Sequence, residues 1–224
     1  NISMAFSEDL DHEEWADVYK KLIYWELEIN STGQNDMSEV LEMQKNEANL
    51  NFSRFIKDNY EDWLNDPDSD RPVLSHELMR KKVFPALDQD QPLFFIVIDN
   101  LRYDQWRTIQ ETVFEYFNLD KEESYYSILP TTTAYARNAI FSGMLPAQMD
   151  QYHPDIWRGE DEEEGKNKFE EEFLKRQLKK NKLDIRWSYH KIKNIGQGKN
   201  LADNIGNLAN NDLNVIVYNF VDIL

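Results

Sequence analysis

A short stretch near the middle of the chain, in which every residue is apolar, constrains the fold more than any other feature. It runs from Leu93 to Ile98 and is rich in β-branched and aromatic side chains. Because no polar residues alternate with the apolar ones, the pattern is typical of a strand buried on both faces in a parallel sheet. A second buried strand is predicted from Val215 to Val221. We therefore expect an α/β domain built around a parallel sheet.

Strand-like and helical patterns alternate between these two runs. Further strands are predicted at about Tyr125 to Leu129 and at about Asp184 to Tyr189, with helical segments between the strands. This alternation indicates a doubly wound, mostly parallel sheet with helices on its faces. We expect that domain to occupy residues 91–224.

The residues before the sheet have a helical pattern throughout. Apolar side chains recur every three or four residues from Trp15 to Ile29, and a second such series runs from Val40 to Trp63. A third, short helix is predicted from Leu78 to Phe84. Amphipathic helices with short connections form bundles, so we expect residues 1–90 to be a small three-helix linker or dimerisation domain.

The charge of the chain argues against two kinds of partner. Lys and Arg number 25 against 42 Asp and Glu, which gives a formal net charge of −17. A surface with this charge repels nucleic acid and anionic membranes. The sequence also lacks a basic recognition helix, which disfavours a sequence-specific DNA-binding regulator.

The sequence lacks cysteine and lacks long apolar segments, and both absences exclude further classes of protein. The sequence has no cysteine, which excludes disulfide frameworks, thiolate-bound metals and cysteine nucleophiles. No apolar run has the length of a membrane span, and the first residues lack the pattern of a secretory signal. We expect a cytoplasmic protein without membrane insertion.

Charges are also segregated along the chain. Residues 160–172 are strongly acidic, whereas residues 175–193 carry many lysines and arginines. One interpretation is a solvated helix stabilised by ion pairs within it. The other is a basic rim that receives an anionic ligand.

Two acidic residues follow the two buried strands. Asp99 comes directly after Ile98, and Asp222 comes directly after Val221. Ligands of open parallel sheets bind beyond the carboxyl ends of the strands, and carboxylates there suit a divalent cation. The alternative is that each aspartate terminates a turn or caps a helix, as Asp99 would for the helix that follows it.

A run of three threonines, Thr131 to Thr133, follows the strand predicted to end at Leu129. A threonine hydroxyl at a helix N-terminus beside a bound cation has what a nucleophile for phosphoryl transfer needs. The alternative is a simple threonine helix cap.

These motifs together resemble a known family. The run IDNLRY at residues 98–103, and PTTT at residues 130–133 followed by Ser142 and Gly143, resemble the alkaline phosphatase superfamily and its PglZ branch. With the preceding helices, they resemble the PorX-type response regulators of the type IX secretion system.

The resemblance implies a site with two zinc ions bridged by a threonine nucleophile. Thr133 matches the nucleophile by its distance from Ser142 and Gly143, and Thr131 or Thr132 takes its place if the register is off. Asp99 and Asp222 match metal-binding aspartates of the superfamily, and Thr133 also contacts the metal.

The resemblance also implies the reaction. A phosphodiester, such as an oligonucleotide or a cyclic nucleotide, is attacked by Thr133, and the phosphothreonine intermediate is then hydrolysed. Arg137, one helical turn beyond Thr133, and Asn100 are candidate contacts for the phosphoryl oxygens. A surface salt bridge is the alternative role for Arg137.

The expected partners follow from the same resemblance. A receiver domain before Asn1 would be phosphorylated by a sensor histidine kinase, and the activated protein would be a homodimer that acts on a sigma factor or a secretion-system component. The alternative is a catalytically silent signalling or scaffold module that acts by dimerisation and partner binding.

The histidines do not fall at the positions that the superfamily pattern requires. His12, His76, His153 and His190 are therefore expected to be structural or solvated. The remaining metal ligands would follow Leu224. We predict that residues 1–224 alone neither hold two zinc ions tightly nor turn over substrate.

Overall fold

The structure is a computed structural model that describes residues 9–33, 35–88, 90–158, 167–219 and 221. Its helices are α1 (His12–Thr32), α2 (Asn35–Asn65), α3 (Tyr103–Phe114), α4 (Thr133–Ser142), α5 (Pro146–Tyr152), α6 (Glu170–Lys180) and α7 (Ile195–Asp203). Its strands are β1 (Leu93–Ile98), β2 (Trp187–Ile192) and β3 (Leu213–Tyr218). Short helical turns cover Ser75–Glu77, Met79–Val83, Phe84–Ala86 and Ile205–Asn210. None of the helices in these ranges combines the length and apolar character needed to cross a membrane.

The chain divides into two compact units, and the division differs from the predicted boundary near residue 90. One unit contains Asn1–Pro72 and Arg102–Ser124, and the other contains Val73–Leu101 and Tyr125–Leu224. Residues 73–75 belong to the second unit because they pair with the segment around Tyr126. The Tyr126 amide donates to the Val73 carbonyl at 2.8 Å, and the Ser75 amide donates to the Tyr126 carbonyl at 3.1 Å.

The first unit is helical, as predicted, and it is organised around one face of α1. Asp11 caps this helix by accepting hydrogen bonds from the amides of Glu13 and Glu14, each at 2.8 Å. Burial of the apolar face drives the packing of α1 on α2. The buried side chains of this core are Trp15, Val18, Leu22, Ile29, Leu41 and Ala48.

The third helix of this unit is α3, whereas the short helix predicted from Leu78 to Phe84 belongs to the other unit. Tyr103 of α3 packs on Tyr19 of α1, with ring centroids 6.0 Å apart. Lys20 of α1 also pairs with Glu122, which follows α3, at 3.3 Å. The first unit therefore contains three helices, but its third helix is α3 and not the predicted helix from Leu78 to Phe84.

The second unit contains a three-stranded sheet with the order β1-β3-β2, in which both neighbouring pairs are parallel. The central strand β3 is buried from Leu213 to Val217, including the polar Asn214. β1 is not buried on both faces as predicted, because it lies at the edge of the described sheet and Ile96 is 52% exposed. Ile98 of β1 and Ile192 of β2 both pair with Tyr218 of β3. The three strands therefore end at one common edge. The α/β class and the parallel sheet are confirmed.

The predicted positions of the strands are also wrong in three places. The segment from Tyr125 to Leu129 forms only a single bridge, between Tyr126 and Leu74. The strand predicted to begin at Asp184 begins at Trp187, and β3 ends at Tyr218 rather than at Val221. Asn219, and not Asp222, is therefore the residue that directly follows the central strand.

Helix α4 ends at a glycine that no other residue replaces easily. Gly143 has a φ of 65°, in the left-handed region, and its amide donates to the Ala139 carbonyl at 2.9 Å. A Cβ atom at this position would also overlap the side-chain amide of Gln177 on α6. The left-handed backbone therefore favours glycine, and a Cβ atom here would also force the end of the Gln177 side chain to shift.

We predict that Gly143→Ala lowers the free energy of unfolding by more than the ~1 kcal/mol of left-handed backbone strain. In a Gln177→Ala background, the same substitution should cost only about that strain, because the overlapping amide is gone. Urea denaturation of the four variants measures both values. A neutral Gly143→Ala would contradict this packing of α4.

Candidate functional site

The carboxyl edge of the sheet carries two polar residues where strands end. Asp99 follows β1 and its amide donates to the Tyr218 carbonyl at 2.9 Å. Asn219 follows β3 and its amide donates to the Ile192 carbonyl at 2.8 Å. These hydrogen bonds fix the backbone of both residues at the edge, where ligands of parallel sheets bind.

Arg137 of α4 joins the two strand ends. Its Nη1 lies 2.7 Å from Asp99 Oδ2 and donates to Asn219 Oδ1 at 2.7 Å. Its Nε donates to Glu170 Oε1, on the first residue of α6. Arg137 is only 4% exposed, so the alternative of a surface salt bridge is wrong. The guanidinium instead anchors α4 to the sheet edge.

Glu170 is a buried carboxylate, 1% exposed, with a full set of donors. Besides Arg137, Asn167 Nδ2 donates to its Oε1 at 3.0 Å. The Tyr189 hydroxyl and Lys191 Nζ donate to its Oε2 at 2.7 Å and 2.8 Å. A charge in the protein interior is tolerated only with such compensation.

The environment shifts the pKa of Glu170, Tyr189 and Lys191. Burial acts to raise the pKa of Glu170, but the charges of Arg137 and Lys191 outweigh it, and the pKa lies below its ordinary value. Burial, aided by the charge of Glu170, raises the pKa of Tyr189. Burial lowers the pKa of Lys191, although the charge of Glu170 opposes this effect. Tyr189 therefore remains a proton donor to an ionised Glu170.

Thr133 is the first residue of α4, and its carbonyl accepts a hydrogen bond from Asn167 Nδ2 at 3.1 Å. The capping position is Thr132, whose side chain makes no capping hydrogen bond. The helix-cap alternative for Thr133 is therefore wrong. The first amides of an α-helix have no partners within the helix, and they favour an anion at its N-terminus.

Asp99 does not cap the next helix either, because Arg102 occupies the capping position of α3. Asn100 has a φ of 59° and is exposed. Asparagine adopts this left-handed conformation more readily than most residues, which explains its place in the turn after β1. Its role in binding substrate stays a prediction.

The donors available to a metal ion are few in the described part of the chain. Asp222, a predicted ligand, lies outside the described residues. Within those residues, no group of three or more histidine, aspartate or glutamate side chains is arranged to hold a metal ion. Zinc in catalytic sites takes three protein ligands, so Asp99 and Thr133 alone do not fit a zinc ion.

Most of the network around Arg137 was not predicted from the sequence. Glu170 and Lys191 lie in the acidic and basic segments, which were interpreted as solvated or as a rim for an anion. That interpretation fits Glu172, which pairs with Arg176 at 3.1 Å on the same helix. Glu170 instead lies three and four residues before the buried Phe173 and Leu174. Its place on this apolar stripe was the signal that it is buried.

Two protein families match the sequence. Residues 1–64 match the PorX response regulator linker domain. Residues 78–224 match the BREX system PglZ alkaline phosphatase-like domain. No curated protein matches the chain.

We predict that the stability contributed by the Glu170 carboxylate depends on pH. Because its pKa in the folded state is lowered from 4.5, this contribution is present above that pH and is lost as the pH falls through the folded-state pKa. Urea denaturation at about pH 6 and about pH 3 should therefore show a weaker pH dependence for Glu170→Gln than for the wild type.

Glu172→Gln is the matched control, because it removes a partly buried carboxylate that pairs with Arg176 on the same helix and not with Arg137. The pH dependence of Glu170→Gln should be weaker than that of this control as well. Equal pH dependence in Glu170→Gln and in the wild type would contradict the compensation of Glu170 by Arg137 and Lys191.

We predict that residues 1–224, after exposure to zinc and desalting, retain fewer than two zinc ions per chain, because the described donors are too few. Elemental analysis measures the content, and Asp99→Asn should lower any zinc that is retained. Two tightly held ions per chain would show that this donor set is larger than the described residues indicate.

Proposed function

Since this chain belongs to the PglZ alkaline phosphatase-like family, we propose that it hydrolyses phosphodiesters with Thr133 as the nucleophile. The chain is a response-regulator-linked, phosphatase-like module, because the PorX linker domain precedes the PglZ domain. The substrate and the identity of the nucleophile are the proposed part.

One observation supports the proposal above all others, namely the buried Arg137 at the sheet edge, four residues after Thr133 on α4. An arginine at that place is suited to bind the oxygens of a phosphoryl group that Thr133 attacks. Its Nε donates to Glu170, and its Nη1 donates to Asn219 and forms an ion pair with Asp99. Among the described residues, Nη2 makes no hydrogen bond, so its two N–H groups are available to a phosphoryl oxygen.

The chemistry then follows from the residues of α4. The Thr133 oxygen forms a bond to phosphorus, the bond from phosphorus to the leaving oxygen breaks, the hydroxyl proton passes to solvent, and the leaving oxygen takes up a proton from solvent. Water then attacks phosphorus, the bond to the Thr133 oxygen breaks, and the threonine hydroxyl is regenerated. Arg137 and the first amides of α4 stabilise the negative charge on the phosphoryl oxygens. A donor preorganised in this way contributes about 10²–10³ in rate.

We also propose zinc as the metal of the complete site, with Asp99 and Asp222 as ligands and Thr133 in contact with it. The described residues contain too few side chains placed to bind zinc, so we propose that the other ligands lie outside the described residues. A bound divalent cation polarises phosphoryl oxygens.

The proposed substrates are oligonucleotides or cyclic nucleotides, with Asn100 as an additional contact beside Asp99. Lys191 is not available to such a ligand, because it is engaged with Glu170 and with the Asn167 carbonyl, both at 2.8 Å. The proposed partners are a sensor histidine kinase, acting through a receiver domain, and a sigma factor or secretion-system component. Regulation of type IX secretion by an activated homodimer belongs to the same proposal.

A second function, a catalytically silent signalling or scaffold module, is favoured by one observation. Asp99 is already paired with Arg137, and the described residues contain no group suited to a metal ion. A scaffold keeps its fold without a complete metal site.

Hydrolysis of bis(p-nitrophenyl) phosphate by the full-length protein with added zinc tests the proposal. We expect Thr133→Ala to lower kcat/KM by ~10³ or more, because the nucleophile is lost. Thr131→Ala and Thr132→Ala are the matched controls and should change kcat/KM by less than about tenfold.

Circular dichroism and the melting temperature verify that each variant is folded. An inactive, zinc-loaded wild type would favour the scaffold function. Activity that survives Thr133→Ala but not one of the two controls would mean that the nucleophile is the neighbouring threonine.

A further inference from the structure

We infer that Glu170 is a positioning residue, which fixes the guanidinium of Arg137 at the edge of the sheet for phosphoryl binding. The inference rests on the proposed function for its catalytic consequence. The orientation of Arg137 can be measured independently of catalysis.

Three acceptors from three different elements hold the guanidinium of Arg137. Asp99 follows β1, Asn219 follows β3, and Glu170 begins α6. Asp99 and Asn219 both bind the same atom, Nη1, and Glu170 is the acceptor for Nε. Because all N–H bonds of a guanidinium lie in one plane, an acceptor at Nε in addition to those at Nη1 holds both sides of the group in place. Glu170 therefore determines where Nη2 lies.

Glu170 is itself held rigidly. Asn167 Nδ2 donates to Oε1, while Tyr189 and Lys191 of β2 donate to Oε2. Lys191 Nζ also donates to the Asn167 carbonyl at 2.8 Å, so Glu170, Asn167 and Lys191 form a closed ring of hydrogen bonds. The carboxylate has no freedom to follow a moving arginine.

The same network reaches the proposed nucleophile. Asn167 Nδ2 donates to the Thr133 carbonyl at 3.1 Å and to Glu170 at 3.0 Å. The first residue of α4 and the arginine one turn later are thus tied to one carboxylate. Relative placement of a nucleophile and a phosphate-binding group is what the reaction needs.

Stability alone is a weak reason for this arrangement. Replacing a buried ionic group by apolar residues of similar volume is often neutral or stabilising. Two cations, Arg137 and Lys191, and two anions, Asp99 and Glu170, lie together here. Without Glu170, Arg137 keeps Asp99 as its only anionic partner among the described residues, and its Nε–H group loses the acceptor that holds that side of the guanidinium.

The first test measures the Nε–H group of Arg137 by NMR in residues 1–224. In the wild type we expect a resolved Nε–H signal that exchanges slowly with water. Glu170→Gln should accelerate this exchange by about tenfold or more, because a neutral amide is a weaker acceptor. Glu172→Gln is the control on the same helix and should leave the exchange unchanged. Unchanged exchange in Glu170→Gln would overturn the inference.

The second test is a double-mutant cycle in the full-length protein with bis(p-nitrophenyl) phosphate. Glu170→Gln should raise KM and lower kcat/KM by about 10–10², and Glu170→Asp, which keeps the charge, should restore part of the loss. In an Arg137→Ala background, Glu170→Gln should have no further effect, because it acts through Arg137. The positioning role would be overturned if the losses in kcat/KM from Glu170→Gln and Arg137→Ala were additive. It would also be overturned if Glu170→Gln lowered the melting temperature without changing KM.

The two tests separate the inference from the proposed function. An inactive wild type would reject the phosphodiesterase, while the Nε–H exchange would still decide whether Glu170 fixes Arg137. If the wild type is active but Glu170→Gln leaves the Nε–H exchange of Arg137 unchanged, the phosphodiesterase function stands and the positioning role of Glu170 is rejected.

Discussion

The organisation of the sheet unit depends on one buried cation. The guanidinium of Arg137 needs acceptors because an unpaired charge in the interior is strongly destabilising. Those acceptors come from parts of the chain far apart in sequence, with Glu170 33 residues away and Asn219 82 residues away. Satisfying one side chain therefore brings together β1, β3, α4 and α6. The parallel register makes this possible, because it ends all three strands at the same edge.

The same constraint gives the edge its chemical character. Arg137 holds the N-terminus of α4 against a strand end, so a threonine hydroxyl, helix amides and a guanidinium lie on one short segment. Positive groups that are fixed before a ligand arrives need little rearrangement to stabilise an anion. Asp99 serves this arrangement as a counter-ion in the described structure, and the proposed metal site would require it to be shared with a cation.

The parallel sheet was predictable from the apolar runs, but the burial of its strands was not. The wholly apolar β1 lies at the edge of the described sheet with Ile96 exposed, whereas the buried β3 contains Asn214. The segment after Tyr125 failed as a strand because pairing depends on the neighbour it meets, and that neighbour offers a single bridge at Leu74. The end of β3 was misplaced because apolar residues continue past Tyr218, whereas the pairing stops there. The helix from Leu78 to Phe84 was assigned to the wrong unit, because a short amphipathic pattern does not indicate which hydrophobic core the helix packs against.

The candidate site was predictable only in part, because some of its residues are recognised by local sequence features and others only by tertiary contacts. Asp99 was found from its position after a strand and Thr133 from its distance to Ser142 and Gly143, which are local features of the sequence. Glu170 and Lys191 were not, because a charged residue in a charged segment is usually solvated, and only tertiary contacts reveal a buried pair. The most direct measurement is mass spectrometry of the full-length protein quenched in acid during hydrolysis of bis(p-nitrophenyl) phosphate. The account predicts a p-nitrophenyl phosphate ester on Thr133, and its absence from an actively hydrolysing protein, or its presence on another residue, would contradict it.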